Sequence, residues 1–268
     1  MPKPEIIPAD MYWDEQAQVL RSIPFTEKDA AELCKKQFIE IVGSHYAEQE
    51  LPTLMRLKYH PKLTINEKTW QETLVNPIQA NPDGSFLILG RWGCGKSWVK
   101  ASLFRHVYTR EFRKLFQEFD WTWIRRDDGI RRLALRINNW QKWPLVWQRL
   151  SEHFDERHAY ATQRPTVDED GEVIGEVSEP KLWRRKFGLW KRDGLKARTF
   201  ITELDKIGNE SKARKAWLFD LLDDHAMFNF QFVADSNLTK SELMEYVGEA
   251  SFRRFTDYMT IIDLHGEK

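Results

Sequence analysis

Cysteine is scarce in this chain, and its two cysteines, Cys34 and Cys94, lie far apart in the sequence. Two distant cysteines provide neither a disulfide framework nor the ligand set of a zinc site. Because disulfides persist mainly in oxidising compartments, this usage favours a reducing environment. The chain also lacks any apolar run near the roughly 18 residues of a membrane-spanning helix, and its N-terminus lacks the apolar core of a signal peptide. We therefore expect a soluble, cytoplasmic protein.

Net charge is absent as well, because 41 basic residues balance 41 acidic residues. A neutral molecule has no overall electrostatic attraction to nucleic acid or to an anionic membrane surface, so any nucleic-acid surface must be local. The 268 residues, 41% of them hydrophobic, are sufficient for one large domain and an additional small region.

Prolines and turn residues divide the chain into regions. Residues 1–80 contain a helical pattern at 27–48 among scattered prolines, which predicts a small, mainly helical N-terminal arm or module. The Asn-Pro-Asp-Gly turn at 81–84 then opens a second region, 81–268. Within that region, an Asp-Gly turn between two β-prone runs predicts a β-hairpin insertion near 160–178.

The second region alternates between strand-like and helical patterns. Strands are predicted at 85–89, 119–124, 198–204, 229–234 and 258–264, and helices at 97–115, 129–154, 211–225 and 240–246. Strands that alternate with helices predict an α/β fold with a parallel sheet covered by helices on both faces.

Residues 90–97 read Gly-Arg-Trp-Gly-Cys-Gly-Lys-Ser, which is a complete phosphate-binding loop between a predicted strand and a predicted helix. Glycines let successive backbone N–H groups turn towards phosphates, and the N-terminus of the following helix adds partial positive charge. Lys96 is expected to reach the β- and γ-phosphates of ATP, and Ser97 to bind Mg²⁺. The residues expected to contact the nucleotide are Gly90, Trp92, Gly93, Cys94, Gly95, Lys96, Ser97 and Trp98.

Acidic residues follow the β-prone run that begins at 198, where they would lie at the same sheet edge as the phosphate loop. One acid would orient Mg²⁺, and another would polarise the attacking water. In the preferred register, Thr202 occupies the metal-orienting position and Glu203 activates the water. In the alternative register, Asp205 is the metal-side acid and Lys206 occupies the glutamate position, which predicts weak hydrolysis.

Polar and basic residues near the end of the chain complete the predicted site. Asn237 follows the strand predicted between the acidic segment and the phosphate loop, and it could hydrogen-bond the γ-phosphate or the attacking water. A simple helix-capping role for Asn237 stays open. Arg253 and Arg254 suit an arginine finger that reaches the γ-phosphate of a neighbouring subunit. The alternative is two solvated arginines on an amphipathic helix.

A tract at 181–192 concentrates positive charge and aromatic rings in the otherwise neutral chain. Cations and stacking platforms together suit a single strand of nucleic acid. The alternative is a helix with its tryptophans in the core and its basic groups in solvent. The predicted nucleic-acid contacts are Lys181, Arg184, Arg185, Lys186, Lys191 and Arg192, and a shorter cluster contains Trp121, Trp123, Arg125 and Arg126.

Together these motifs resemble the helicase-loader branch of AAA+ ATPases, of the DnaC and IstB type. The resemblance runs from about residue 84 to 264, and it is carried by the phosphate loop, the segments 202–208, 218–223 and 234–238, and the arginine-containing segment 249–255. The loop and the segment 203–206 are also similar to the KAP group of P-loop NTPases. Thr202 departs from the acidic residue of the usual AAA+ pattern.

The helicase-loader resemblance implies an ATPase with a P-loop AAA+ sheet and without a C-terminal lid domain. The departure from the family pattern at Thr202 predicts that hydrolysis is slow. It implies that the N-terminal region binds a replicative hexameric helicase or, in IstB-like proteins, a transposase. It further implies self-association through the ATP site and contact with single-stranded DNA. A non-hydrolysing nucleotide switch or scaffold is the alternative from another class, and Thr202 suggests it.

Overall fold

The computed structural model describes residues 3–8, 11–43, 64–65, 68–141, 145–149, 197–206 and 212–265. They belong to two compact units. The first unit comprises residues 1–50 and 105–142, and the second comprises residues 51–104 and 143–268. The domain boundary expected between residues 80 and 81 stays a prediction. The hairpin expected near 160–178 lies outside the described residues.

In chain order, the strands are β1 (Met11–Asp14), β2 (Val19–Ser22), β3 (Thr64–Ile65), β4 (Lys68–Thr69), β5 (Phe86–Leu89), β6 (Leu145–Arg149), β7 (Arg198–Thr202), β8 (Gln231–Ser236) and β9 (Thr260–Asp263). The helices are α1 (Glu27–Val42), α2 (Asn76–Ala80), α3 (Lys96–Gln117), α4 (Arg126–Gln141), α5 (Lys212–Phe228), α6 (Lys240–Val247) and α7 (Glu249–Tyr258). A π-helical turn, Gln71–Val75, precedes α2, and a 3₁₀ turn, Leu204–Lys206, follows β7.

The first unit contains an antiparallel hairpin, β1–β2, in a region for which the sequence predicts helical pieces. Asp14 stabilises its turn because Oδ1 accepts hydrogen bonds from the backbone N–H groups of Gln16 and Ala17. Helix α1 then begins at a capping box, in which the side chains of Thr26 and Asp29 each accept from the other residue's backbone N–H.

Residues 119–124 form turns, so the strand predicted there is wrong. Trp121 is buried, and its ring centre lies 5.4 Å from that of Phe25 and 5.6 Å from that of Phe116. The alternating pattern therefore reflects one buried ring in a turn rather than the two faces of a strand. The helix predicted at 129–154 is also too long, because α4 ends at Gln141 and β6 follows it.

Five strands of the second unit form a parallel sheet in the order β6-β7-β8-β5-β9. Nearly all residues of β5, β7 and β8 are buried, as expected for a parallel sheet that is covered on both faces. Leu218 of α5, Leu243 of α6 and Phe255 of α7 pack in one core cluster with Phe232 of β8. The predicted α/β fold with a parallel sheet is confirmed.

Both cysteines are free and buried. Burial raises the pKa of the Cys34 thiol to about 11, so this thiol stays protonated at neutral pH. Among the described helices, none has the length and apolar character needed to cross a membrane.

Candidate nucleotide-binding site

The phosphate loop connects β5 to α3 at the carboxyl-terminal edge of the sheet. Gly93 and Gly95 have φ angles of +77° and +86°, a backbone conformation that other residues rarely adopt. A Cβ atom at Gly93 would meet no atom within 4 Å, so this residue borders open space. Gly90 is packed closely instead, because a Cβ atom there would lie 2.8 Å from Cys94 Sγ and from Leu264 Cβ. The loop therefore has an open side and a tightly packed base.

Lys96 begins α3, and its ammonium group contacts the loop. Its Nζ donates to the backbone oxygen of Gly90, to that of Arg91 at 3.0 Å, and to Asn237 Oδ1 at 3.0 Å. Lys96 is 5% exposed, and burial lowers the pKa of its ammonium group. The carboxylate of Asp205 acts in the opposite direction and favours the charged form. A cation held in this position can exchange these contacts for phosphate oxygens.

Asn237 connects Lys96 to the acidic segment. Its Nδ2 donates to Asp205 Oδ2 at 3.1 Å, and its backbone N–H donates to Asp205 Oδ1 at 3.4 Å. This contact is possible because β8, which precedes Asn237, lies between β5 and β7 in the sheet. We call these three residues the Lys96–Asn237–Asp205 network.

Glu203, the predicted water-activating acid, has a different environment from Asp205. Its backbone has a φ angle of +58°, and its Oε1 lies 2.7 Å from Lys206 Nζ. Lys206 Nζ also lies 5.6 Å from the centre of the Trp92 ring, within the range of a cation–π contact. Trp92 is 75% exposed at the loop. Asp205 is thus the acid that is hydrogen-bonded to Asn237, whereas Glu203 is paired with Lys206. Both registers proposed from the sequence stay open.

The residues predicted to hold Mg²⁺ are Ser97, Thr202 and Asp205. Ser97 is exposed in the first turn of α3, next to the half-buried Trp98, and Thr202 is half-buried at the end of β7. No group of three or more His, Cys, Asp or Glu side chains in the described part of the chain could hold a metal. Mg²⁺ does not require such a group, since it commonly binds through one or two side chains together with substrate phosphates and water. The donor set therefore fits a metal that binds with the nucleotide.

The two arginines predicted as a finger have different environments on α7. The side chain of Arg253 is 81% exposed, and its Nε lies 3.7 Å from Asp257 Oδ2. Arg254 is half-buried, its Nη2 lies 3.0 Å from Asp223 Oδ1, and its guanidinium lies 5.0 Å from the centre of the Phe219 ring. Arg254 therefore links α7 to α5, whereas the side chain of Arg253 is exposed to solvent.

Trp70 is a residue of the site that the sequence analysis missed, because it lies in the region assigned to the N-terminal arm. Its buried Nε1 donates to the Cys94 backbone oxygen at 2.7 Å, and a Cβ atom at Gly95 would lie 3.0 Å from its ring. Trp70 therefore holds the phosphate loop from its packed side. Lys100 and Asp235, which no sequence motif indicated, form a buried ion pair next to the site.

The residues predicted to contact single-stranded DNA at 181–192 lie outside the described ranges. In the shorter cluster, Trp121 is buried and Trp123 is 70% exposed. Arg125 and Arg126 each pair with an aspartate. Trp123 is therefore the ring of this cluster that is accessible for stacking on a base.

A parallel sheet in which one strand leads through a glycine-rich loop into a helix defines a P-loop α/β fold. No protein-family model matches the chain, and no curated protein matches it. Among solved structures, the chain is similar to domain III of the replication initiation protein DnaA from Thermotoga maritima, with 14% sequence identity and a TM-score of 0.44. The match covers 78% of this chain and 65% of that chain, which is less than two thirds of its length.

Proposed function

We propose that this chain is an ATP-dependent molecular matchmaker of AAA+ type, similar in role to the bacterial helicase loaders. The observation that best supports the proposal is the Lys96–Asn237–Asp205 network at the carboxyl-terminal edge of the sheet. The network joins the phosphate loop, a polar strand end and an acidic segment. Positioned groups of these three kinds surround the γ-phosphate in ATPases, where catalysis is mainly positioning and charge stabilisation.

In the proposed binding step, the phosphates of ATP contact the backbone N–H groups of the loop and the N-terminus of α3. Lys96 exchanges its contacts with the Gly90 and Arg91 oxygens for phosphate oxygens. Ser97, with Thr202 or Asp205, would hold Mg²⁺, and the metal would neutralise charge on the phosphates.

In the proposed hydrolysis step, Asn237 orients the attacking water or the γ-phosphate. Glu203 leaves Lys206 and accepts a proton from the water. An exposed arginine of a neighbouring subunit, Arg253, stabilises the charge of the transition state. ATP binding would thus favour self-association, and hydrolysis would favour release of the partner.

The proposed partners are a replicative hexameric helicase and single-stranded DNA. Both follow from the resemblance of the motifs to helicase loaders. A pull-down from extract of the source cells with the tagged full chain and a slowly hydrolysed ATP analogue tests the helicase. We expect recovery of the helicase, and much less recovery with Lys96→Met as bait. Recovery of a transposase would overturn the helicase proposal in favour of an IstB-like regulator of transposition, and recovery of neither would contradict the matchmaker role.

Replacing Arg253 with alanine is expected to lower the kcat of ATP hydrolysis about a thousandfold, the lower end of the range for a finger supplied in trans. The free energy of unfolding should change by less than about 0.5 kcal/mol, because the side chain is exposed. Steady-state kinetics at several protein concentrations and thermal denaturation measure the two effects. Arg254→Ala is the comparison variant, and it should lose stability because the half-buried ion pair with Asp223 and the contact with the Phe219 ring are removed. A wild-type rate for Arg253→Ala would contradict the assignment.

A non-hydrolysing nucleotide switch is the second candidate, and one observation favours it. The carboxylate of Glu203 is paired with Lys206, and the residue before it is Thr202 rather than an acid. A protein in which this pair persists with ATP bound would bind the nucleotide and change its partners without turnover.

A further inference from the structure

Lys100 is a lysine in the interior of the second unit. It lies on α3 one helical turn after Lys96, and its side chain has no exposed surface. Burial lowers the pKa of Lys100 well below the ordinary lysine value, and the charge of Lys96 lowers it further. An isolated buried ammonium group is costly, so its position requires compensating contacts.

Two strands supply these contacts. Lys100 Nζ is in contact with Asp235 Oδ1 of β8, and it donates to the backbone oxygen of Ile201 of β7 at 2.8 Å. Asp235 is itself 6% exposed, so the pair is enclosed on both sides. One side chain of α3 therefore binds both β7, which leads to the acidic segment, and β8, which leads to Asn237.

The contacts of Lys100 are close to the groups of the site in sequence. Ile201 precedes Thr202 and Glu203, and Asp235 precedes Ser236 and Asn237. The backbone oxygen of Ser236 accepts from the Gly90 N–H at 3.1 Å, which ties β8 to the base of the phosphate loop. A shift of Lys100 would therefore move the acidic segment and Asn237 relative to Lys96.

We propose that Lys100 is a positioning residue that sets the spacing between the phosphate loop, Asn237 and the acidic segment through its contacts with Asp235 and Ile201. The inference rests on the proposed ATPase function. A contribution to stability alone does not explain the pair, because well-packed apolar residues in place of a buried ion pair are often neutral or stabilising. Through Asp235 and Ile201, Lys100 acts on chemistry by fixing the positions of β7 and β8.

The test replaces both partners, with Lys100→Met and Asp235→Val in one protein, so that no charge is left buried without its partner. We expect the double variant to fold with stability close to that of the wild type and to bind ATP with a dissociation constant changed less than threefold. Its kcat should fall about 10- to 100-fold, since small misplacements of catalytic groups have effects of this size. A wild-type kcat in the folded double variant would overturn the proposal.

Arg198→Met is the matched control. Arg198 begins β7 at the opposite edge of the same sheet, where its Nη2 lies 3.0 Å from Asp83 Oδ1. Loss of this ion pair should lower stability without changing kcat in the folded protein. An equal loss of kcat in the control would show that any perturbation of β7 has this effect, and it would overturn a specific role for Lys100.

Hydrogen–deuterium exchange distinguishes failure of this inference from failure of the proposed function. Peptides that cover residues 199–206 and 234–239 should exchange faster in the double variant than in the wild type. In Arg198→Met, the exchange rate of the peptide that covers 234–239 should be unchanged. This readout requires no turnover. If the wild type does not hydrolyse ATP, the proposed ATPase function is wrong. Unchanged hydrogen–deuterium exchange in the double variant would separately overturn the positioning role of Lys100.

Discussion

Replacing Lys96 with methionine is expected to weaken ATP binding about 10- to 100-fold. The substitution removes a charged hydrogen-bond donor, and loss of such a bond costs about 1.5–3 kcal/mol, with each 1.4 kcal/mol corresponding to tenfold in affinity. The loop also loses the contacts that Lys96 makes with Gly90, Arg91 and Asn237, so its geometry is less well defined. Hydrolysis should fall further than binding, because negative charge develops in the transition state on the oxygen that leaves with ADP, between the two phosphates that Lys96 is expected to reach. Isothermal titration calorimetry with ATP and Mg²⁺ measures the affinity.

Lys240→Met is the control for Lys96→Met. Lys240 lies near the same sheet edge, but its side chain is 55% exposed and its Nζ lies 3.7 Å from Asp263 Oδ2. Removing this charge should leave ATP affinity within about twofold, because exposed ion pairs contribute little. Equal affinities of Lys96→Met and the wild type would exclude the phosphate loop as the ATP site.

Replacing Glu203 with glutamine is expected to lower kcat about 10²- to 10⁴-fold, the range for loss of a general base, and to leave ATP affinity nearly unchanged. Glutamine preserves the size of the side chain but cannot accept the proton of the attacking water. The ion pair with Lys206 is also lost, but it lies at the surface and contributes little to stability. Single-turnover hydrolysis combined with a binding titration separates the two quantities.

Asp205→Asn and Glu203→Gln together distinguish the two registers. Asp205 accepts two hydrogen bonds from Asn237, and its replacement should disturb the network and weaken Mg²⁺-dependent ATP binding. Under the preferred register, Glu203→Gln impairs turnover and Asp205→Asn impairs mainly binding. Under the alternative register, Glu203→Gln leaves the weak hydrolysis of the wild type unchanged, and Asp205→Asn impairs Mg²⁺-dependent ATP binding. Hydrolysis at background level in both the wild type and Glu203→Gln would favour the non-hydrolysing switch.

The phosphate loop could be predicted because its information is local. Gly93 and Gly95 allow the positive φ angles of the loop, and Lys96 and Ser97 follow at fixed spacing. Strands β5, β7 and β8 were also predictable, since a strand buried on both faces is a short apolar run bounded by polar residues. The strand predicted at 229–234 begins at Gln231 in the structure, a difference of two residues.

Short aromatic segments were predicted poorly. The alternation at 119–124 is typical of a strand, but Trp121 packs on Phe25, which is far away in sequence, and this contact stabilises a turn. At β1–β2, the strands have four residues each, and the polar turn between them resembles the rest of the arm. Periodicity requires more residues than these segments contain.

Contacts between distant residues could not be predicted from one sequence. Lys100 and Asp235 are separated by 135 positions, and Trp70 and Cys94 by 24. A lysine on a predicted helix is normally assigned to a solvated face, so no local pattern indicates that Lys100 is buried. The fold of the whole second unit, which includes the order of its strands, brings the members of each pair together.

We expect the loop at 90–97 to bind ATP, and one titration of the wild-type chain tests this expectation most directly. Calorimetry with ATP and Mg²⁺ should give one site per chain, with AMP much weaker, because the loop contacts the β- and γ-phosphates rather than the nucleoside. Equal affinities for ATP and AMP, or no heat of binding from the folded protein with ATP, ADP or GTP, would contradict it.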